Sequence, residues 1–543
     1  MNSHHHGSSP AGKADSKAGW FRSIFPVTGL LALLWFLFRV VPKPSRAAYP
    51  CQRVAAPLAG GFVIWLAGAL GAVSLFRQAK RLWKRSRVVL ACTSLAAAAV
   101  LAIGALATMP KQAAKAEPNQ PIGVGKGIHP GRVVWAHDPS ATRWNGPGDG
   151  HWWESSHTVQ SAVDGMMSKA VQSLAGEPSD RQAWNALFRN FNQTHSGSNA
   201  GYKKGEKIAI KVNFVGCIFT EGNVDPKTYD LGGRRMDYMN TSPQMILALL
   251  RQLVRNAGVN QEDISVGDPT ALFPNQYYDL LHGEFPGVHY IDRNGGSEGH
   301  PRTKVAPSNV PLYWSSRPKG EAQDYVPAQY AEAKYLINMA NLKSHTTAGV
   351  TLCAKNHFGS LIRTPPQRGY FDMHASLAGR SPGMGKYRDL VDLMGHADLG
   401  GKTLIYFIDG LYPGVHPIES APRKWASAPF NGTWAASLLA SQDPVAIDSV
   451  AFDFLRTEWD DYPRMSGAND YLHEAALAEN PPSGTFYDPN HPVPTVRLAS
   501  LGVHEHWNNA RDKQYSRNLG KDQGIELVPV ELAAARPASR SSQ

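Results

Sequence analysis

Lys343, His345, Lys355, Asn356 and His357 fall close together in the stretch YLINMANLKSHTTAGVTLCAKNHFGSL, residues 335–361. Such residues can do chemistry. A histidine serves as acid or base near neutral pH. Lysines can orient an anionic substrate, polarise a carbonyl or hold a phosphate. Here the polar groups alternate with Ala348, Gly349, Val350, Leu352 and Phe358, which favour burial. Two amines among apolar neighbours are costly unless something anionic lies between them. The stretch opens with the apolar run Tyr335–Met339, of the length and makeup of a buried strand. Two readings follow: a strand-loop-helix junction whose amines reach solvent, or a ligand site at the C-terminal end of a strand.

Positioning such a cluster takes a sheet. Further strands are expected at Arg132–Ala136, Lys207–Phe214, Ile264–Asp268, Val288–Asp292, Leu404–Asp409 and Ile525–Val530. Helices are expected at Thr158–Leu174, Gln244–Asn256 and Pro444–Arg456, the last with Asp443 in capping position. Strands alternating with helices predict an α/β fold, with a mostly parallel sheet covered by helices on both faces. Asp268, Asp292 and Asp409 end strands and Asp443 caps a helix, so all four could gather along one sheet edge near the lysines. On that geometry Lys343, His345 and Lys355 are the candidate catalytic groups. Asn213, Asp268, Asn356, His374 and Asp409 are the candidate substrate-binding groups. A metal ion is left open, because His345, His357, His374 and nearby aspartates are suitable ligands. No pair of them has the spacing of a motif such as HExxH.

The formal charge of +11 is unevenly spread. Residues 1–120 hold 15 of the 55 lysines and arginines and 2 of the 44 acidic residues, which leaves 40 and 42 for the rest. Basicity thus belongs to the N-terminal region, and nucleic acid loses its main support as a partner. Four cysteines without a CxxC are too few for a disulfide scaffold. Cys217 and Cys353 could pair or remain buried thiols. Three apolar segments, Phe25–Val41, Val54–Phe76 and Val88–Met109, are each long enough to span, or nearly span, a bilayer core.

The loop between the second and third segments carries Arg77, Lys80, Arg81, Lys84, Arg85 and Arg87 and no acid, which marks it as cytoplasmic. Everything after Met109 is then expected outside the cytoplasmic membrane. The third segment also fits an export signal. The organisation expected is a disordered tail (1–21), a bundle of three transmembrane helices (22–109), a linker (110–130), an extracytoplasmic α/β domain (131–531) and a disordered tail (532–543). The Gly-rich GVGKGIHPG around Val124 lacks the GxxxxGK[ST] frame of a phosphate loop and reads as a loop leading into the domain. The Trp-rich stretch Trp135–Trp153 reads as aromatic packing under a long loop, and His504 and His506 as part of a surface-packed tail.

KVNF at Lys211, VGDPT at Val266, NLKSHTTAGVTLCAKNHFG from Asn341, IDG at Ile408 and SQDPVAIDSVAFDFL from Ser441 stand together in this chain. The combination resembles the uncharacterised family known as domain of unknown function 362, across Gly205–Leu455. Its most specific part is Lys343, His345, Thr351, Lys355, Asn356 and Gly359, followed by the Asp443–Asp448 run. The resemblance implies an α/β domain of unsettled activity. Many members are joined to ferredoxin-like iron–sulfur modules, whose closely spaced cysteines are missing from this sequence, so no iron–sulfur cluster is expected. The resulting expectation is a membrane-anchored enzyme acting on a small anionic molecule through a Lys/His/Asn/Asp cluster, its reaction unassigned. The alternatives are a non-catalytic binding or assembly factor of an envelope complex, with a membrane-protein partner, and a redox partner protein.

Overall fold

Ile208, Ile210 and Val212 join the buried cluster on one side of a strand and Ala209 the cluster on the other, so this strand needs cover on both faces. That requirement shapes the whole domain. The computed structural model describes residues 50–107, 118–218, 223–232, 236–316, 323–345, 347–362, 383–386, 388–415, 421–459 and 468–532, with scattered positions between 27 and 42. Two compact units result, Met1–Gln112 and Ala113–Gln543.

The first unit contains α1 (Pro50–Lys84) and α2 (Val88–Ala107), joined at a tight turn in which Ser86 adopts φ 55°. Among the described residues one helix, Phe62–Lys84, is long and apolar enough to cross a membrane. Helices of that kind also occur as signal sequences. The described apolar stretch of α2, Val88–Leu101, is shorter. Phe25–Val41 lies largely outside the described residues. The expected three-helix bundle is therefore reduced to a single helix meeting both criteria. Residues Arg77–Lys84, expected in a loop, continue α1 as helix. Nothing breaks the helix there, since Gln78, Ala79, Lys80, Arg81 and Leu82 are all good helix formers.

In the second unit a ten-stranded sheet forms the centre. Its strands are β1 (Arg132–His137), β2 (Ile208–Val212), β3 (Ile264–Gly267), β4 (His289–Asp292), β5 (Thr303–Lys304), β6 (Tyr335–His345), β7 (Gly349–Thr351), β8 (Thr403–Gly414), β9 (Ser437–Ser441) and β10 (Glu526–Glu531). The order is β10-β1-β9-β8-β6-β2-β3-β4-β5, with β7 folded back on β6. Every pairing is parallel except those of β9 with β8 and β1 and of β7 with β6. The sheet is thus mostly parallel, as the alternation of elements predicts.

Helices α3 (Gln160–Ala175), α4 (Asp180–Ser196), α5 (Pro243–Arg251) and α6 (Asn275–His282) supply the core of one face. The other face is covered by α7 (Cys353–Asn356), α8 (Arg388–Gly395), α9 (Pro444–Glu458) and α10 (Ala468–Ala476). Both central strands, β6 and β8, are buried along their full lengths of 11 and 12 residues.

The segments expected to be peripheral are tied in. Ile122 and Gly123 pair with His504 and Val503, and the Lys126 and Ile128 N–H groups donate to Asp443 Oδ2 and Gln442 Oε1. The expected surface tail is instead buried at His504, Glu505 and His506, because their polar atoms find Ser449, Asn469, Asp453 and Ser516. Trp144 and Trp152 are fully buried, and Trp144 stacks on Trp434 at 5.2 Å between ring centroids. Cys217 and Cys353 are both free and buried.

Candidate functional site

β6 was expected to end at Met339 but runs on to His345, so Asn341, Lys343 and His345 sit in a strand rather than a loop. The ladder continues because β8 pairs alongside as far as Lys343 and β7 returns antiparallel, placing Lys343 opposite Thr351. Gly349, at φ 84°, completes the hairpin turn. After β7 comes α7, whose first N–H groups, on Cys353 and Ala354, are taken by the Asp448 carboxylate at 2.8 and 3.0 Å. That cap holds Lys355 and Asn356 over the C-terminal ends of β2 and β6.

Asn356 is the hub. Its Oδ1 accepts from Lys211 Nζ at 3.1 Å and Asn213 Nδ2 at 3.2 Å, while its Nδ2 donates to Asn338 Oδ1 at 2.8 Å. Lys211 Nζ also donates to Asp268 Oδ2 at 3.0 Å and to the Val212 carbonyl at 2.5 Å. Asp268 is filled from both sides: Oδ2 accepts the Phe214 N–H, and Oδ1 accepts the Thr270 N–H and hydroxyl. Gly359 lies so close that a Cβ there would stand 2.4 Å from Asp268 Oδ1. Lys343 Nζ donates to Asn213 Oδ1 and the Met239 carbonyl, each at 2.5 Å.

The three amines differ in how well they are satisfied. Lys211 has three acceptors for three protons, one of them the Asp268 carboxylate; burial lowers its pKa and Asp268 opposes that shift. Lys343 has two acceptors. Burial, then the Lys211 and Lys355 charges, hold its pKa well below the ordinary lysine range, against the pull of Asp409 and Asp268. Lys355 has no hydrogen bond or ion pair among the described residues; its Nζ rests over the Phe358 ring, 3.6 Å from the centroid. Burial and Lys211 push its pKa down to about 7, with Asp268 opposing. At 8% exposure it is also the least enclosed of the three.

The other candidates are placed as follows. Asp409 Oδ2 accepts the Ser242 N–H at 2.7 Å and Oδ1 the Leu411 N–H, so it anchors the start of α5; burial raises its pKa and Lys343 lowers it. His345 Nδ1 accepts the Thr347 and Ala348 N–H groups at 3.1 Å, which fixes the Nε2–H tautomer and shapes the hairpin turn. His374 lies outside the described residues. Asp292 does not join the lysines: it accepts from Tyr229, Phe273, Asn294 and Gly295 and organises its own loop. Asp443 lies at the opposite sheet edge, because β9 runs antiparallel and Ser441 pairs with Tyr406 rather than with the end of β8.

His357 uses both ring nitrogens, Nε2 toward Asn338 and Nδ1 toward Ser360, and burial pushes its pKa down to about 3. Neither nitrogen is left for a metal. Among the described residues no three His, Cys, Asp or Glu side chains form a metal-ligand group. Sequence reasoning passed over Lys211 and Asn338 as site residues. Their signal was present, since each is a polar residue inside an apolar strand, IAIKV and YLINM.

The residues that build this cluster lie in one continuous span. Residues 208–453 match the family model described as Domain of unknown function (DUF362). The DUF362 match agrees with the reach expected from the motifs and contains Lys211, Asn213, Asp268, Lys343, Lys355, Asn356 and the capping Asp448. Among curated proteins none matches the chain.

Proposed function

We propose that the DUF362 span is an enzyme acting on a small anionic molecule, with Lys355 as the group that meets the substrate and exchanges a proton with it. One observation carries this reading. Lys355 is an almost buried amine with no hydrogen bond or ion pair among the described residues, beside two further buried lysines, Lys211 and Lys343. Buried polar groups in a finished structure are normally satisfied, and an amine with pKa about 7 suits a general base or acid at neutral pH. Lys211, Asn356 and Asn213 position it, and Asp268 balances the charge of Lys211. An anion arriving at Lys355 favours its ammonium form, so binding takes up a proton near neutral pH.

The test is a thermal-shift titration of the full chain in detergent with acetate, oxalate and inorganic phosphate, at pH 6.5 and 8. Stabilisation by at least one anion, stronger at pH 6.5 and absent in Lys355→Met, is expected. Anion binding that Lys355→Met leaves intact overturns the assignment. The fully satisfied Lys211 favours the rival reading, a non-catalytic binding or assembly factor built on the same cluster; that reading gains if no anion stabilises the wild-type chain.

The same proposal sets the domain outside the cytoplasmic membrane on a multi-pass anchor. It is supported by the apolar helix Phe62–Lys84 and by the cations from Arg77 to Arg87 that follow its apolar stretch.

A further inference from the structure

A cleft of about 350 Å3 opens at the sheet edge where β8 begins, away from the lysine cluster. Its apolar lining comes from Phe191, Met394, Leu404 and Leu501, and no aspartate or glutamate is among its lining residues. Two basic residues are. Lys126 is held by its backbone, whose N–H donates to Asp443 Oδ2 at 2.9 Å, yet its ammonium has no hydrogen bond or ion pair among the described residues. Asp443 cannot serve it as a hydrogen-bond partner without displacing a donor. Its Oδ1 already accepts the Val445 and Ala446 N–H groups, and its Oδ2 those of Lys126 and Val503.

At the rim, His195 stacks on Phe191 at 3.9 Å between ring centroids. Its Nδ1 lies 2.8 Å from the Phe191 carbonyl and its Nε2 2.8 Å from the Gly401 carbonyl. The cleft therefore combines an apolar wall with an ammonium that makes no hydrogen bond or ion pair among the described residues, attracted only from outside the lining by Asp443, and has no acid among its described lining residues, at a volume within the usual range for small-molecule sites.

We propose that this cleft binds a small organic monoanion, an apolar body bearing one carboxylate or phosphate, with the charge on Lys126 and the body against Phe191, Met394 and Leu404. The site is separate from the lysine cluster and does not depend on the function proposed for it. Its chemistry is recognition, not reaction: the Asn190, Gln442 and Ser500 side chains in the lining are engaged with one another or with the backbone.

Isothermal titration of the full chain in detergent with benzoate, phenyl phosphate and inorganic phosphate tests this. Saturable binding of benzoate or phenyl phosphate is expected, with the better of the two identifying the anionic group. Lys126→Ala should weaken it about tenfold or more, as loss of a charge-assisted contact does, while Lys126→Arg and Lys355→Met retain it. The Lys126 side chain makes no hydrogen bond or ion pair among the described residues and only a distant electrostatic contribution to Asp443, so Lys126→Ala should fold and melt within a few degrees of wild type. Absence of saturable binding overturns the proposal, as does binding unchanged in Lys126→Ala or lost in Lys355→Met. Inorganic phosphate binding as tightly as the organic anions also overturns it, because the apolar wall would then contribute nothing.

Discussion

Replacing Lys355 by methionine should make the protein more stable, a direction opposite to that of most buried substitutions. The ordinary lysine pKa of 10.5 is pulled down to about 7 by burial and by Lys211. A difference of that size costs the fold up to about 5 kcal/mol while the amine is protonated. The sign follows from proton counting. Below pH 7 both folded and unfolded states hold the proton and the full cost stands. Between pH 7 and 10.5 the unfolded chain holds a proton that the folded chain has released, so folding stability rises with pH.

Methionine is unbranched like lysine, one atom shorter, and uncharged. It forfeits the contact with Phe358, worth about 1–2 kcal/mol, and leaves a net gain of about 3–4 kcal/mol at pH 7. For a unit of this size that is a rise of about 3–4 °C in melting temperature. Circular dichroism melts of wild type and Lys355→Met, run in parallel from pH 6 to 9, provide the measurement. The gap should be nearly constant from pH 6 to 7 and shrink by about 2 kcal/mol by pH 9. A variant that melts below wild type, or a gap that stays flat to pH 9, would refute the reasoning: the amine would then be a partnered cation holding the fold together.

Two further outcomes follow from the same cluster. Lys211→Met leaves Asp268 buried without its cation and should cost about 3–5 kcal/mol, read as a lower melting temperature that the double variant Lys211→Met/Asp268→Leu partly restores. Gly359→Ala places a methyl 2.4 Å from Asp268 Oδ1 and should cost about 1–3 kcal/mol; a melting temperature equal to wild type would show that the Asp268 loop can move aside.

The lysine-bearing segment was legible because its residue types conflict: amines and amides among residues that want burial. Asn213, Asp268, Lys343, Lys355 and Asn356 do come together around Lys211. The ranking among them was not legible. Lys343 and Lys355 look alike in sequence, and only the folded structure gives Lys343 two acceptors and Lys355 none among the described residues. His345 looked catalytic by type, yet its Nδ1 is spent on two backbone N–H groups of its own turn.

Local pattern alone determined seven of the ten sheet strands, the helices α3, α5 and α9, the mostly parallel sheet, the DUF362 motifs and the concentration of positive charge near the N-terminus, because periodicity and charge are properties of neighbours along the chain. Strand direction belongs to tertiary structure. Asp409 and Asp443 each follow an apolar strand, but β8 and β9 run opposite ways, so the two carboxylates sit at opposite edges of one sheet. The cleft beside Lys126 was likewise invisible in sequence, since residues from 126 to 501 meet there only after the chain has folded. Which polar groups remain unsatisfied depends on every element packed around them, and that sum exists only in three dimensions.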